Sequence, residues 1–66
     1  MKTSDKILYL TGVYRKTYNQ APTVIQMNYS SFLELCDELN KDENELVNIY
    51  GMLIQLNNEV DILIEY

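Results

Sequence analysis

The stretch Ser31–Val60 carries its apolar residues in two sets separated by a polar break, and this feature most limits what the chain can fold into. Phe32, Leu35, Cys36 and Leu39 form the first set; Leu46, Ile49, Leu53 and Leu56 form the second. Each set steps by three and four residues, as one face of an α-helix requires. Between them Asn40-Lys41-Asp42 has the chemistry of a turn followed by a cap. Two short helices meeting near Asn40 are the expectation.

The local signals agree with that layout. Ser31 and Glu34 have the Ser-x-x-Glu spacing of a capping box, which predicts a second helix over about residues 32–39. Asn40 tolerates the left-handed conformation that ends helices. Asp42 and Glu45 repeat the cap pattern and predict a third helix over roughly residues 43–57, with Glu45, Asn48, Gly51, Gln55 and Asn58 on its solvent side.

Upstream, Ser4 is the expected N-cap, with Asp5 in the first turn where the helix dipole favours an acid. Ile7, Leu10, Tyr14 and Tyr18 predict a first helix over about residues 5–19. Gly12 is its weak point, costing about 1 kcal/mol relative to alanine. Pro22 disfavours helical geometry at Ala21 and ends it. Thr23–Asn28 reads as a short strand, with Ile25, Met27 and Tyr29 on alternate positions; an early start of the next helix is the rival reading. Val60, Ile62, Ile64 and Tyr66 alternate as in a strand, although Leu63 breaks the pattern.

Two other layouts fit parts of this. Phe32, Leu35, Leu39, Leu46, Ile49, Leu53, Leu56, Val60 and Leu63 make a heptad interrupted only at Asp42, as one long coiled-coil helix would. Against it stands the row of weak helix formers Asn40, Asp42 and Asn44. Alternatively, Asn57-Asn58 turns a hairpin from Met52–Leu56 into Val60–Tyr66.

A chain of 66 residues makes one domain with a modest core, here spanning 1–66, so pairing with itself or another protein is a fair expectation. The one cysteine excludes an internal disulfide and a zinc cluster, and the absence of histidine removes the commonest general base and metal ligand. Two glycines supply no phosphate-cradling loop, and Asp42–Leu46 lacks the oxygen ligand and glycine of a calcium loop. No enzymatic activity, metal or other cofactor is expected, and Cys36 reads as core. The longest early apolar run, Ile7–Leu10, is far too short for a membrane span or signal peptide, so a cytoplasmic chain is expected, in its own cell or a host's. Charge is uneven: residues 1–30 hold Lys2, Lys6, Arg15 and Lys16 against Asp5, a net +3, while residues 31–66 hold nine acids against Lys41, a net −8.

Taken in order, these residues resemble a winged-helix domain with its helix-turn-helix. Leu35 matches the second helix's leucine and Cys36 the small residue where the helices approach. Asn40 stands for the turn glycine, Leu46 and Ile49 for the inward positions of the third helix. Leu53-x-x-Leu56-x-x-x-Val60-x-Ile62 resembles the run into the first wing strand. The resemblance covers nearly the whole chain and implies a mainly α fold with a small β component, ordered α-β-α-α-β. The chain stops at Tyr66, so the wing would be truncated, and at most Thr23–Asn28 and Val60–Tyr66 would form a two-stranded sheet.

In such a domain the third helix reads DNA, here with Asn44, Asn48 and Gln55, while Lys6, Arg15 and Lys16 approach the phosphates. The acids Asp42, Glu43 and Glu45 at the start of that helix disfavour this, so a homodimeric DNA-binding regulator is the second reading. The first is an acidic regulatory or accessory protein that works by protein–protein contact, on a nucleic-acid-handling partner or on itself as a homodimer. Val47, Tyr50 and Ile54 beside the third helix, with Tyr66 on the last strand, are its expected contact residues. The compact acidic form and the resemblance suggest a phage or mobile-element setting.

Overall fold

A computed structural model describes residues 2–66. Helix α1 spans Thr3–Tyr18, strand β1 Val24–Met27 and helix α2 Tyr29–Leu39. Three strands follow: β2 at Asn48–Ile49, β3 at Met52–Leu56 and β4 at Ile62–Glu65. The strands form one sheet in the order β2-β3-β1-β4. β1 runs parallel to β3 with Ile25 opposite Ile54, and antiparallel to β4 with Ile25 opposite Ile64.

Among the described residues this is a small α+β domain with two helices, and the third helix is absent. Half of the expected cap forms: the Asp42 N–H donates to Glu45 Oε1 at 3.1 Å, but the Asp42 carboxylate accepts the Glu43 N–H at 2.8 Å rather than that of Glu45, and the Leu46 N–H reaches the Asp42 carbonyl at 3.3 Å. That turn does not propagate. Val47, Ile49 and Ile54 are β-branched and Gly51 sits mid-segment, all poor helix formers. Instead Tyr50 and Gly51 adopt positive φ (50° and 83°) between Ile49 and Met52, which pair across β2 and β3. Positive φ at both central residues is what a type I′ hairpin turn requires. Since the helix-turn-helix is not formed, the order is α-β-α-β-β-β rather than α-β-α-α-β.

Other boundaries are set by tertiary contacts. The N-cap of α2 is Asn28, whose side chain accepts from the Ser31 N–H at 2.7 Å, so Ser31 and Glu34 form no capping box and the helix starts earlier. Asn19 and Asn40 end the two helices in the left-handed conformation. Asn57-Asn58 turns no hairpin, because β3 and β4 flank β1 on opposite sides. The loop between them crosses the end of β1, with the Asn57 N–H donating to the Met27 carbonyl at 2.9 Å. The expected pairing of Thr23–Asn28 with Val60–Tyr66 is present as β1 and β4, within the larger sheet.

Both helices lie on one face of the sheet. Ile7 of α1 and Phe32, Leu35 and Cys36 of α2 close over Ile25, Met27, Ile49 and Met52, with Leu46 beside them. Ile7, Ile25, Met27, Leu35 and Met52 are fully buried. Val24, Gln26, Leu53, Gln55 and Leu63 occupy the alternate positions, and Leu53 and Leu63 are exposed. Among the described residues no helix covers that second face.

Candidate interaction surface

Helix α1 is long for what it buries. Of its 16 residues only Thr3, Ile7 and Thr11 are buried, and the Thr11 hydroxyl is satisfied by the Ile7 carbonyl at 2.8 Å. Helices in proteins are held mostly by packing of an apolar face. Here Leu8, Tyr9, Val13 and Tyr18 lie off the buried stripe and are 50%, 65%, 43% and 62% exposed. Past Thr11, only Tyr14 is even half-buried.

The outward side of α1 forms a shallow apolar depression lined by Leu8, Tyr9, Gly12 and Val13, with Arg15 and Lys16 at its rim. Gly12 is its floor. Among the described residues nothing lies within 4 Å of where its Cβ would be, and its φ is ordinary for a helix. The fold therefore has no use for a glycine here, although glycine weakens the helix. What its missing side chain provides is a notch open to an approaching chain.

A second groove lies where α1 meets the edge of the sheet. Leu10, Val13, Tyr14, Thr17 and Tyr18 face β4 across it, with the Tyr14 and Tyr18 rings 4.6 Å apart at 46°. Lys6 ties the two elements together through Asp61 at 2.7 Å. The Lys6 ammonium and then the Ser31 hydroxyl hold the Asp61 carboxyl below its ordinary range.

Electrostatically α1 is the basic part of an acidic molecule. Its segment carries Lys2, Lys6, Arg15 and Lys16 against Asp5, whereas the remainder is strongly acidic. Arg15 and Lys16 lie in the last turn, where the helix dipole favours cations.

The residues expected to form sites are dispersed. Val47 and Ile54 are neighbours, the Ile54 N–H donating to the Val47 carbonyl at 3.0 Å, but Ile54 packs against the core. Tyr50 occupies the hairpin turn, and Tyr66 follows β4 at the opposite edge of the sheet. Asn44 lies in the turn after α2, while the register puts Asn48 and Gln55 on the uncovered sheet face. Lys6, Arg15 and Lys16 belong to α1, on the other side of the sheet. The proposed base-reading row is thus no row, and its cations lie across the sheet from its amides. Cys36 is core as expected, and burial raises its thiol pKa.

Leu8, Tyr9, Gly12 and Val13 were not singled out in the sequence as a contact surface. Their signal was present: three apolar residues off the Ile7–Leu10–Tyr14 stripe of a single helix, around a glycine. No family model, curated protein or solved structure matches this chain. Among the described residues no helix is long and apolar enough to cross a membrane.

Proposed function

We propose that this chain is a regulatory or accessory protein acting through protein–protein contact, with the outward side of α1 as the docking surface. The observation that carries this reading is the exposed set Leu8, Tyr9 and Val13 around the open notch at Gly12. Contiguous apolar surface rimmed by charge marks interaction sites on small domains. The rim is Arg15 and Lys16, so the complementary partner presents apolar side chains bordered by acids. A basic, nucleic-acid-handling surface suits the acidic α2 side of the molecule, not this one. DNA reading loses support with the helix that would have performed it.

The test is affinity capture from the native host with wild type and Leu8→Glu side by side. Leu8 is half-exposed, so the substitution leaves the fold intact. Proteins retained by wild type and lost from the variant support the reading. Identical retention, or salt-sensitive retardation of mixed duplexes with no protein retained, refutes it.

A further inference from the structure

We infer that two copies of this chain associate through β4, joining their sheets into one continuous eight-stranded sheet about a two-fold axis at Leu63. The phase of the β4 backbone comes from its bonds to β1. The Asn28 N–H donates to the Asp61 carbonyl at 3.2 Å and the Thr23 N–H to the Glu65 carbonyl at 2.9 Å. Alternation along an antiparallel ladder then directs the N–H and C=O of Ile62 and Ile64 outward, away from β1. An edge presenting such groups is a template for another strand. The opposite edge is blunted, since β2 has only two residues. β4 carries no lysine, proline or bulge between Ile62 and Ile64.

The choice of a second copy rests on self-complementarity. Asp61-Ile62-Leu63-Ile64-Glu65 reads acid, isoleucine, leucine, isoleucine, acid in either direction. Its outward groups, at Ile62 and Ile64, are symmetric about Leu63. Turned antiparallel on itself, the strand pairs Ile62 with Ile64 of the second copy, and the reverse, each pair exchanging both backbone bonds. Leu63 then meets Leu63 on the uncovered face, covering a side chain now 43% exposed. On the other face Ile62 and Ile64, both already against the core, join the two cores.

Charge weakens this register and does not favour it. The register sets Glu65 of the second copy opposite Asp61, two acids that would repel. Lys6, which already reaches Asp61 at 2.7 Å, neutralises one acid of each such pair. Thr17, which lines the groove against β4, comes to the seam as the two α1 helices lie antiparallel. A helix of about 24 Å above a four-residue strand of about 13 Å, each layer about 10 Å deep, offers roughly 370 Å² in projection. That falls below the roughly 600 Å² per partner at which stable specific complexes begin. The dimer is therefore weak and reversible, and the depression at Leu8 and Gly12 stays free in it.

Sedimentation of the full chain from about 1 μM to about 1 mM tests this, with amide exchange measured at both ends of the range. The expected result is a rise from monomer to dimer, with exchange at Ile62 and Ile64 slowing about tenfold or more as the dimer forms. Leu63→Lys and, independently, Thr17→Lys should remove both changes while leaving the circular dichroism of the monomer unaltered. A single monomeric species throughout, or a dimer whose Ile62 and Ile64 amides exchange as fast as in dilute solution, overturns the inference. Leu8→Glu leaves the dimer intact and Leu63→Lys leaves capture by α1 intact, so failure here and failure of the docking role are distinct results.

Discussion

The Glu38 carboxylate on α2 accepts the backbone N–H of Thr3 at 2.9 Å through one oxygen, and that of Ser4 at 3.0 Å through the other. It is the cap of α1, supplied from 35 residues away, and Lys2 at the N-cap position contributes no side-chain bond. The next acid on the same side of α2, Glu34, accepts the Thr3 hydroxyl at 3.0 Å. Two otherwise unpaired helix donors thus fasten α1 to α2 at one end, while the other end of α1 stays largely free of the core.

Glu38 gives the fold an acid sensitivity with a definite sign. The Ser4 and Thr3 N–H bonds hold its carboxyl below the ordinary glutamate range. A carboxyl depressed in the folded state adds stability above its unfolded value of about 4.3, and that stability is lost as pH falls through the lower folded value. Thermal melts of wild type should therefore fall from about pH 5 to about pH 3. Glu38→Gln should melt lower at neutral pH and lose stability less steeply on acidification. A variant curve parallel to wild type would remove the cap from the account.

The hairpin turn separates two glycines chemically alike in sequence. Gly51→Ala forces an alanine into φ +83° and should cost about 1–2 kcal/mol. Gly12→Ala meets open space at ordinary helical φ and should add about 0.5–1 kcal/mol. Urea denaturation of the two variants reads both signs. Were residues 43–57 helical, both substitutions would stabilise.

Tyr50 shares that turn at φ 50°, a conformation that a bulky residue adopts at a cost. Tyr50→Asn creates the Asn-Gly pair favoured in type I′ turns and should raise stability by about 0.5–1 kcal/mol. The same urea series measures it.

These positions also mark what the sequence made legible. Asn40 as a helix end, the strand at Ile25 and Met27 and the strand around Ile62 and Ile64 all rest on chemistry within a few residues, and each was readable. The segment after Asp42 was not. Leu46, Ile49, Leu53 and Leu56 satisfy a helical period, yet Met52, Ile54 and Leu56 satisfy a strand's, and local pattern does not arbitrate. Val47, Ile49, Ile54 and Gly51 weaken a helix there, and the parallel pairing of β3 with β1, for which no signal lies within the segment, completes the choice. Glu38 as the α1 cap was hidden for the same reason. The surface on α1 was hidden differently: Leu8, Tyr9 and Val13 were visible, but which flank the core would leave bare depended on the sheet beneath.

The core supports one further expectation. Leu35 is fully buried between the helices and the sheet. Leu35→Ala should cost about 2–5 kcal/mol, comparable to the whole margin of about 3–5 kcal/mol for so small a domain. Circular dichroism at 37 °C should find it largely unfolded. Cys36 beside it reports the same event, since its buried thiol should react with a disulfide reagent only as fast as the domain opens.

Gly12→Leu brings the docking role to a single comparison, because the added side chain enters empty space in the free protein and fills the notch a partner would use. Its melting temperature and its retention of host proteins, measured beside wild type, are the most direct test. An equal or higher melting temperature with lost retention is the predicted result. Retention equal to wild type from an equally folded variant would contradict it.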